Sequence, residues 1–137
     1  MTDLPPPVMT QEIRIVDEQG QTRLVLSAKG SGPTIQILRK DGRAGASVTL
    51  DAADRPRLTL SNPDPALPTA ALEIDDKGAH VKFDRPGGAS SYLFLNNAGG
   101  SGVVLIDITG KRRVDATVAA DGSSTIERFG NDGKPLP

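Results

Sequence analysis

The chain has 137 residues, with 16 Lys plus Arg against 17 Asp plus Glu, three Phe, one Tyr, and neither Trp nor Cys. That length makes one domain rather than two, and its even charge balance lacks the basic stripe that nucleic acid or an anionic membrane selects. Without cysteine there is no disulfide, thiolate zinc site or cysteine nucleophile, and so few aromatics give little for sugars or bases to stack on.

Residues 1–11, MTDLPPPVMTQ, read as a Pro-rich N-terminal tail, extended and without ladder bonds. They carry neither a basic region nor an apolar stretch, so no signal peptide is expected in this chain. The strongest apolar run, Val103 to Ile106, is too short for a transmembrane segment, which makes the chain soluble as written and leaves its compartment open.

From residue 12 onward the apolar pattern has period two. EIRIV sets Ile13 and Ile15 on one face with Arg14 opposite, and TRLVL does the same with Leu24 and Leu26. TIQIL alternates Ile35 and Ile37, SVTL alternates Val48 and Leu50, and RLTL alternates Leu58 and Leu60. A Pro-rich loop, SNPDPALPTA at 61–70, then interrupts the strands without separating two domains, since neither side holds enough apolar residues for its own core. ALEI, AHVKF, SYLFL, VVLI, DATV and TIERF follow, and NDGKPLP at 131–137 forms a C-terminal tail. No window carries a stripe at spacing three and four, so helices are not expected.

Turn chemistry separates these runs. Asp41-Gly42, Asp121-Gly122 and Asp132-Gly133 are Asp-Gly pairs, a strong hairpin signal. A second pattern is apolar, Asp or Asn, two spacers and Gly, at 16–20, 74–78, 83–87, 95–99 and 106–110. The Asp side chain accepts backbone N–H bonds as the turn begins, and Gly supplies the positive φ that ends it. VDEQGQTRL, LDAADRPRL and IDITGKRRV extend this pattern with an Arg at 23, 57 and 113, placed to pair with a carboxylate on the outer face. Their separations share no common period, so a regular solenoid is not expected.

Chemistry-bearing candidates are few. His80 is the only histidine and shares the polar face of AHVKFD with Lys82 and Asp84, which reads as a solvated strand residue. Asp75 and Asp76, adjacent at a strand end, point to opposite faces and make a poor acid/base pair. GGSGVVL at 99–105 begins like a calcium-binding nonapeptide but has Val104 where Asp is needed. GSGPTI at 30–35 lacks the third glycine of a dinucleotide fingerprint, and the glycine-rich PGGASS and NNAGGSG are turn composition.

The expectation is an all-β protein: an antiparallel meander of about ten or eleven short strands over 12–130, forming a sandwich, barrel or prism and possibly a β-rich trimer. No catalytic residue, metal ligand or cofactor is assigned, and no enzyme activity is expected. The expected role is a non-enzymatic structural or assembly module of a phage particle, secretion apparatus or surface filament, with a glycan- or calcium-binding β module as the alternative. The expected partner is a homo-oligomer, a trimer foremost, or a larger protein assembly, with no nucleic acid and no membrane insertion. Far-UV circular dichroism should be dominated by strand, and a helical fraction above about a fifth would refute the pattern.

Overall fold

The computed structural model describes residues 3–137. Eleven strands follow one another in space as they do in sequence: β1 (Glu12–Val16), β2 (Thr22–Ser27), β3 (Thr34–Leu38), β4 (Ala44–Leu50), β5 (Pro56–Leu60), β6 (Thr69–Ile74), β7 (Gly78–Asp84), β8 (Ser90–Asn96), β9 (Ser101–Ile106), β10 (Arg112–Val118) and β11 (Ser124–Arg128). All pairings are antiparallel within one sheet, which is not closed into a barrel. Among the described residues there is no helix. Every run of alternating apolar residues became a strand, with β4 and β6 starting a few residues earlier than the apolar pattern alone would place them.

The register carries the alternation across the whole sheet. Ile13, Leu26, Ile35, Val48, Leu58, Leu72, Val81, Leu93, Val103, Ala116 and Ile126 face one another in succession from β1 to β11. The neighbouring positions form the opposite row: Arg14, Val25, Gln36, Ser47, Thr59, Ala71, Lys82, Tyr92, Val104, Asp115 and Glu127. A slip of one residue at any pairing would send an entire strand's aliphatics to the polar face.

One turn geometry recurs along both flanks. At Asp17–Gly20 the Gly20 N–H reaches the Asp17 carbonyl at 2.9 Å, and the Asp17 N–H reaches the Gln21 carbonyl at 2.9 Å. Gly20 closes the three-residue loop at φ 77°, which is the type I turn with a glycine bulge. The Asp17 carboxylate accepts the N–H groups of Gln19 and Gln21. The Asp-Gly pairs adopt this same loop rather than the two-residue hairpin: Gly42 closes onto Arg39 and Gly122 onto Ala119. Asp41 and Asp121 therefore sit one place before the glycine and cap Arg43 and Ser123. At 83–87 the turn is displaced by one residue, with Gly88 closing onto Arg85, because Asp84 stays in β7 and accepts the Ser90 hydroxyl. Asp54, at φ 59°, takes the glycine's place in the LDAAD copy.

The segments outside the strands differ in how they are tied down. Residues 3–10 have no regular structure, Gln11 accepts the Ala28 N–H, and residues 1–2 of the expected tail lie outside the described residues. The 61–70 loop joins two strands that pair with each other, β5 and β6, as a connection within one sheet does. Near the C-terminus the chain turns back at Gly130–Gly133 and bridges Phe129 to Pro135, with the Leu136 N–H on the Arg128 carbonyl at 2.7 Å. The 131–137 segment thus makes ladder bonds, since Gly133 repeats the turn geometry, and it covers one end of the β11 edge.

A single-layer sheet encloses very little. Val25 and Val104 are the buried hydrophobic residues among those described, at 7% and 2% exposure, and both belong to the polar row. Alternation of this kind ordinarily goes with one covered face and one wet face. Every connection instead joins adjacent strands, so no part of the chain returns across the sheet to form a second layer.

Glycines at the turns and at a close approach separate two effects. Gly20→Ala strains only φ, because an added Cβ meets open space, and should lower stability by ~1 kcal/mol. Gly78→Ala, at φ 154°, would also drive the Cβ to 2.2 Å from the Leu95 carbonyl oxygen. Urea denaturation should therefore show the larger loss at Gly78, and an equal or smaller one would refute the close approach of β7 and β8 there.

Candidate functional site

Two surfaces stand out, one on each face of the sheet. The first is the aliphatic face itself. Leu93 in its central row is 56% exposed, and Ile37 and Leu60 in the next row are 54% and 51% exposed. No charged residue interrupts the central row from Ile13 to Ile126. At one flank the row is mixed: Ile74, Ala79, Leu95 and Val118 lie on this face at strand ends, with Ser101 and Ser124 among them. The total accessible surface is 9829 Å². A folded monomer of 14.3 kDa is expected to expose about 6,800 Å². The excess of about 3,000 Å² belongs partly to the extended N-terminal segment and otherwise to the uncovered sheet.

Charges are kept to the polar face and the flanks, where they pair locally. Arg23 meets Asp17 at 3.3 Å and also donates to the Leu38 carbonyl, while Arg113 meets Asp107 at 2.5 Å and donates to the Gly130 carbonyl. In the third copy of the motif Arg57 pairs across the strand with Glu73 at 3.1 Å, and Arg55 takes the place beside Asp51. The recurring arginine therefore ties each hairpin to a neighbouring carboxylate or carbonyl, as its spacing suggested.

The second surface is a groove of about 750 Å³ on the polar face. Its lining runs from His80 and Lys82 of β7 past Tyr92 and Phe94 of β8 and the buried Val104 of β9 to Asp115 and Thr117 of β10. Gly102 is needed here because a Cβ would meet the Phe94 ring at 2.9 Å, so the ring lies over the bare backbone. The Tyr92 and Phe94 ring centroids are 6.0 Å apart. Asp115 gives one carboxylate oxygen to Arg112 at 2.5 Å. Its other oxygen, Oδ1, is buried with no hydrogen-bond partner among the described residues.

His80 lines the same groove and is not the freely solvated residue expected: its side chain is 16% exposed. The cause is pairing between β6 and β7, which sets His80 opposite Glu73 with Nε2 and Oε1 2.6 Å apart. Asp75 lies at 4.0 Å from Nδ1 and is otherwise occupied by its turn, accepting the Lys77 and Gly78 N–H groups. The glycine-rich 99–105 stretch supplies the turn after β8 and the floor of the groove. Among the described residues no three His, Asp or Glu side chains gather to hold a metal ion. No family model and no curated protein matches the chain.

The groove is the part that sequence reasoning missed. Tyr92 and Phe94 share a face by their spacing, but their nearness to Asp115 depends on β8, β9 and β10 pairing in register.

The turn carboxylates make the fold sensitive to acid. The backbone N–H of Gln21 holds Asp17 below the ordinary carboxylate range, and the N–H groups of Arg43, Arg55 and Lys77 do the same for Asp41, Asp51 and Asp75. The Thr109 hydroxyl, first among several donors, holds Asp107 lowest. Unfolded chains regain the ordinary value and so bind protons first as the pH falls. The stabilisation is complete above about pH 4 and is lost as the pH drops through the folded values. Urea midpoints should hold steady from neutrality down to about pH 4 and decline from there towards pH 2. A midpoint that does not move over that interval would contradict the role given to these carboxylates.

Proposed function

We propose that this chain is a non-enzymatic structural or assembly module whose aliphatic face packs against further copies of itself, three copies forming a closed prism. One observation carries the reading: an eleven-strand sheet leaves a continuous aliphatic face without a second layer. The excess of about 3,000 Å² per chain, shared between the N-terminal segment and the sheet, is several times the roughly 800 Å² that each partner contributes to an ordinary interface.

A second copy is the partner that fits, because it offers a face of the same length and chemistry in the same register. Strands of five to seven residues make a ribbon about 17–23 Å wide, and eleven of them make it about 50 Å long. Those strands fall short of the roughly 9–11 residues that cross a bilayer. Three copies in a triangular prism cover the central row together with Ile74, Leu95 and Val118, which lie on the same face; a two-layer sandwich covers the same residues, and the mass in solution separates the two. Assembly also shields the aliphatic face from unrelated contacts.

His80 is engaged by Glu73, and no nucleophile stands beside it in a base-and-orienter set, which agrees with a non-enzymatic role. Small β modules of this kind serve in phage particles, secretion apparatus and surface filaments, an analogy at the level of fold.

Light scattering coupled to size exclusion should give three times 14.3 kDa. Melting temperature should rise with protein concentration, because folding and association are linked. Leu58→Asp with Leu93→Asp should abolish both the larger species and cooperative melting. A 14.3 kDa species with a concentration-independent melting temperature would overturn the reading and leave a foreign protein or a lipid surface as the occupant.

A further inference from the structure

We propose that the free edge of β1 pairs with the β1 edge of a second copy, antiparallel about a two-fold axis at Ile13, so that two sheets join into one. The contact lies at the end of the ribbon and does not depend on association through the aliphatic face. Three observations converge on this partner.

The first is that the two edges of the sheet are not equivalent. Among the described residues no strand pairs with the outer side of β1. The β11 edge is partly closed by the chain's own return, where Phe129 bridges Pro135 and the Arg128 carbonyl accepts the Leu136 N–H. The segment before β1 gives no such cover, for Val8 and Met9 stay almost wholly exposed.

The second is the direction of the backbone groups. The Ala28 N–H bonds the Gln11 carbonyl, and Ile13 and Ile15 oppose Leu26 and Leu24 in the same phase, so residues 11, 13 and 15 turn their polar groups towards β2. Those of Glu12, Arg14 and Val16 point outward. The Thr10 hydroxyl marks this phase: it accepts the Glu12 N–H at 3.4 Å and donates to the Glu12 carbonyl at 3.2 Å. An outward row of N–H and C=O groups is a template for another strand.

The third is side-chain complementarity, which selects both the partner and the register. With the aliphatic faces kept on one side, Ile13 cannot stand opposite an Arg14. A two-fold axis at Glu12 or at Arg14 would set like charges opposite one another, which destabilises a sheet. An axis at Ile13 sets Glu12 opposite Arg14 of the second copy, twice, and Ile13 opposite its own mate. The central aliphatic row then runs unbroken from one sheet into the next. Glu12 already meets its own Arg14 at 2.5 Å and Lys29 at 3.9 Å, so the charges at the junction alternate in sign. A head-to-tail contact of β1 with β11 would have to be parallel, because the two strands run the same way in the meander. Pairing over residues 10–16 forms about eight backbone bonds. That contact is smaller than the roughly 800 Å² per partner of a standard interface, so its population grows at concentrations above those that assemble the aliphatic face.

A chain without cysteine makes the register directly testable. In the proposed pairing the two Ile13 residues form a non-hydrogen-bonded pair with Cα atoms about 4.5 Å apart, within disulfide range. The two Ile15 residues stand about 14 Å apart along the strand. Full-length Ile13→Cys, oxidised by air with copper–phenanthroline at up to about one millimolar chain, should give a covalent dimer on a denaturing gel. Ile15→Cys should give at least tenfold less. In the Ile13→Cys background, Glu12→Arg or Arg14→Glu should each lower the yield several-fold, and mixing the two variants should restore it as the mixed dimer. Circular dichroism checks that each variant keeps its strand content, and light scattering reports assembly through the aliphatic face separately. The proposal is overturned if Ile13→Cys gives no covalent dimer, if Ile15→Cys gives as much, or if the folded charge variants cross-link as the parent does.

Discussion

Nearest-neighbour pairing is the constraint from which the rest of this structure follows. Each strand bonds only to the strands before and after it in the chain, and no connection crosses over. The sheet therefore grows by one strand at a time, in one layer. Period-two alternation then sorts every residue to one of two faces with no further choice. The aliphatics collect on one side, and the other receives Arg14, Gln36, Ser47, Thr59, Lys82 and Asp115. A crossover anywhere would have supplied a second layer and an internal core. None exists among the described residues, and the buried hydrophobics there, Val25 and Val104, sit in the polar row between Arg14 and Gln36 and between Tyr92 and Asp115.

Without a core, local chemistry carries an unusual share of the order. Asp17, Asp51 and Asp107 each accept two backbone N–H groups at the start of their turns, and the residue that closes each loop takes a positive φ. Asn96 does the same work with an amide, accepting the Gly100 N–H at 2.8 Å. Arginines then reach from one hairpin to the next, as Arg23 does to Leu38. Such contacts fix register and turn type. They do not supply the burial that ordinarily offsets chain entropy, which is why the aliphatic face matters energetically.

The two faces suit different tasks. An aliphatic face whose central row carries no charge is suited to a partner with the same periodic relief, and apolar burial there would scale with the number of strands. The polar face carries most of the strand charges, many of them held in local pairs such as Arg57 with Glu73 and Lys82 with Asp84. Because side chains alternate, a change on Leu93 need not reach Tyr92, although the two are adjacent in sequence. The two faces can thus be altered independently on one ribbon.

The sequence by itself determined every strand, because alternation from Ile13 through Ile126 reports backbone pleat directly, and it placed the turns because Asp and Gly act within four residues of one another. Distinguishing the Asp-Gly pair from the longer Asp-x-x-Gly pattern was beyond it: Gly42 closes onto the Arg39 carbonyl as Gly20 does onto Asp17, whereas at Asp75–Gly78 the Asp75 N–H bonds the Gly78 carbonyl and the glycine opens β7. Only the tertiary structure decided that the meander stays open, for closure depends on sheet twist and on which strands meet at the edges, neither of which alternation encodes. Only it, too, set His80 against Glu73 and Phe94 over Gly102. Those neighbours are created by pairing between strands, and a sequence read along one chain records what each residue prefers, not what it will face.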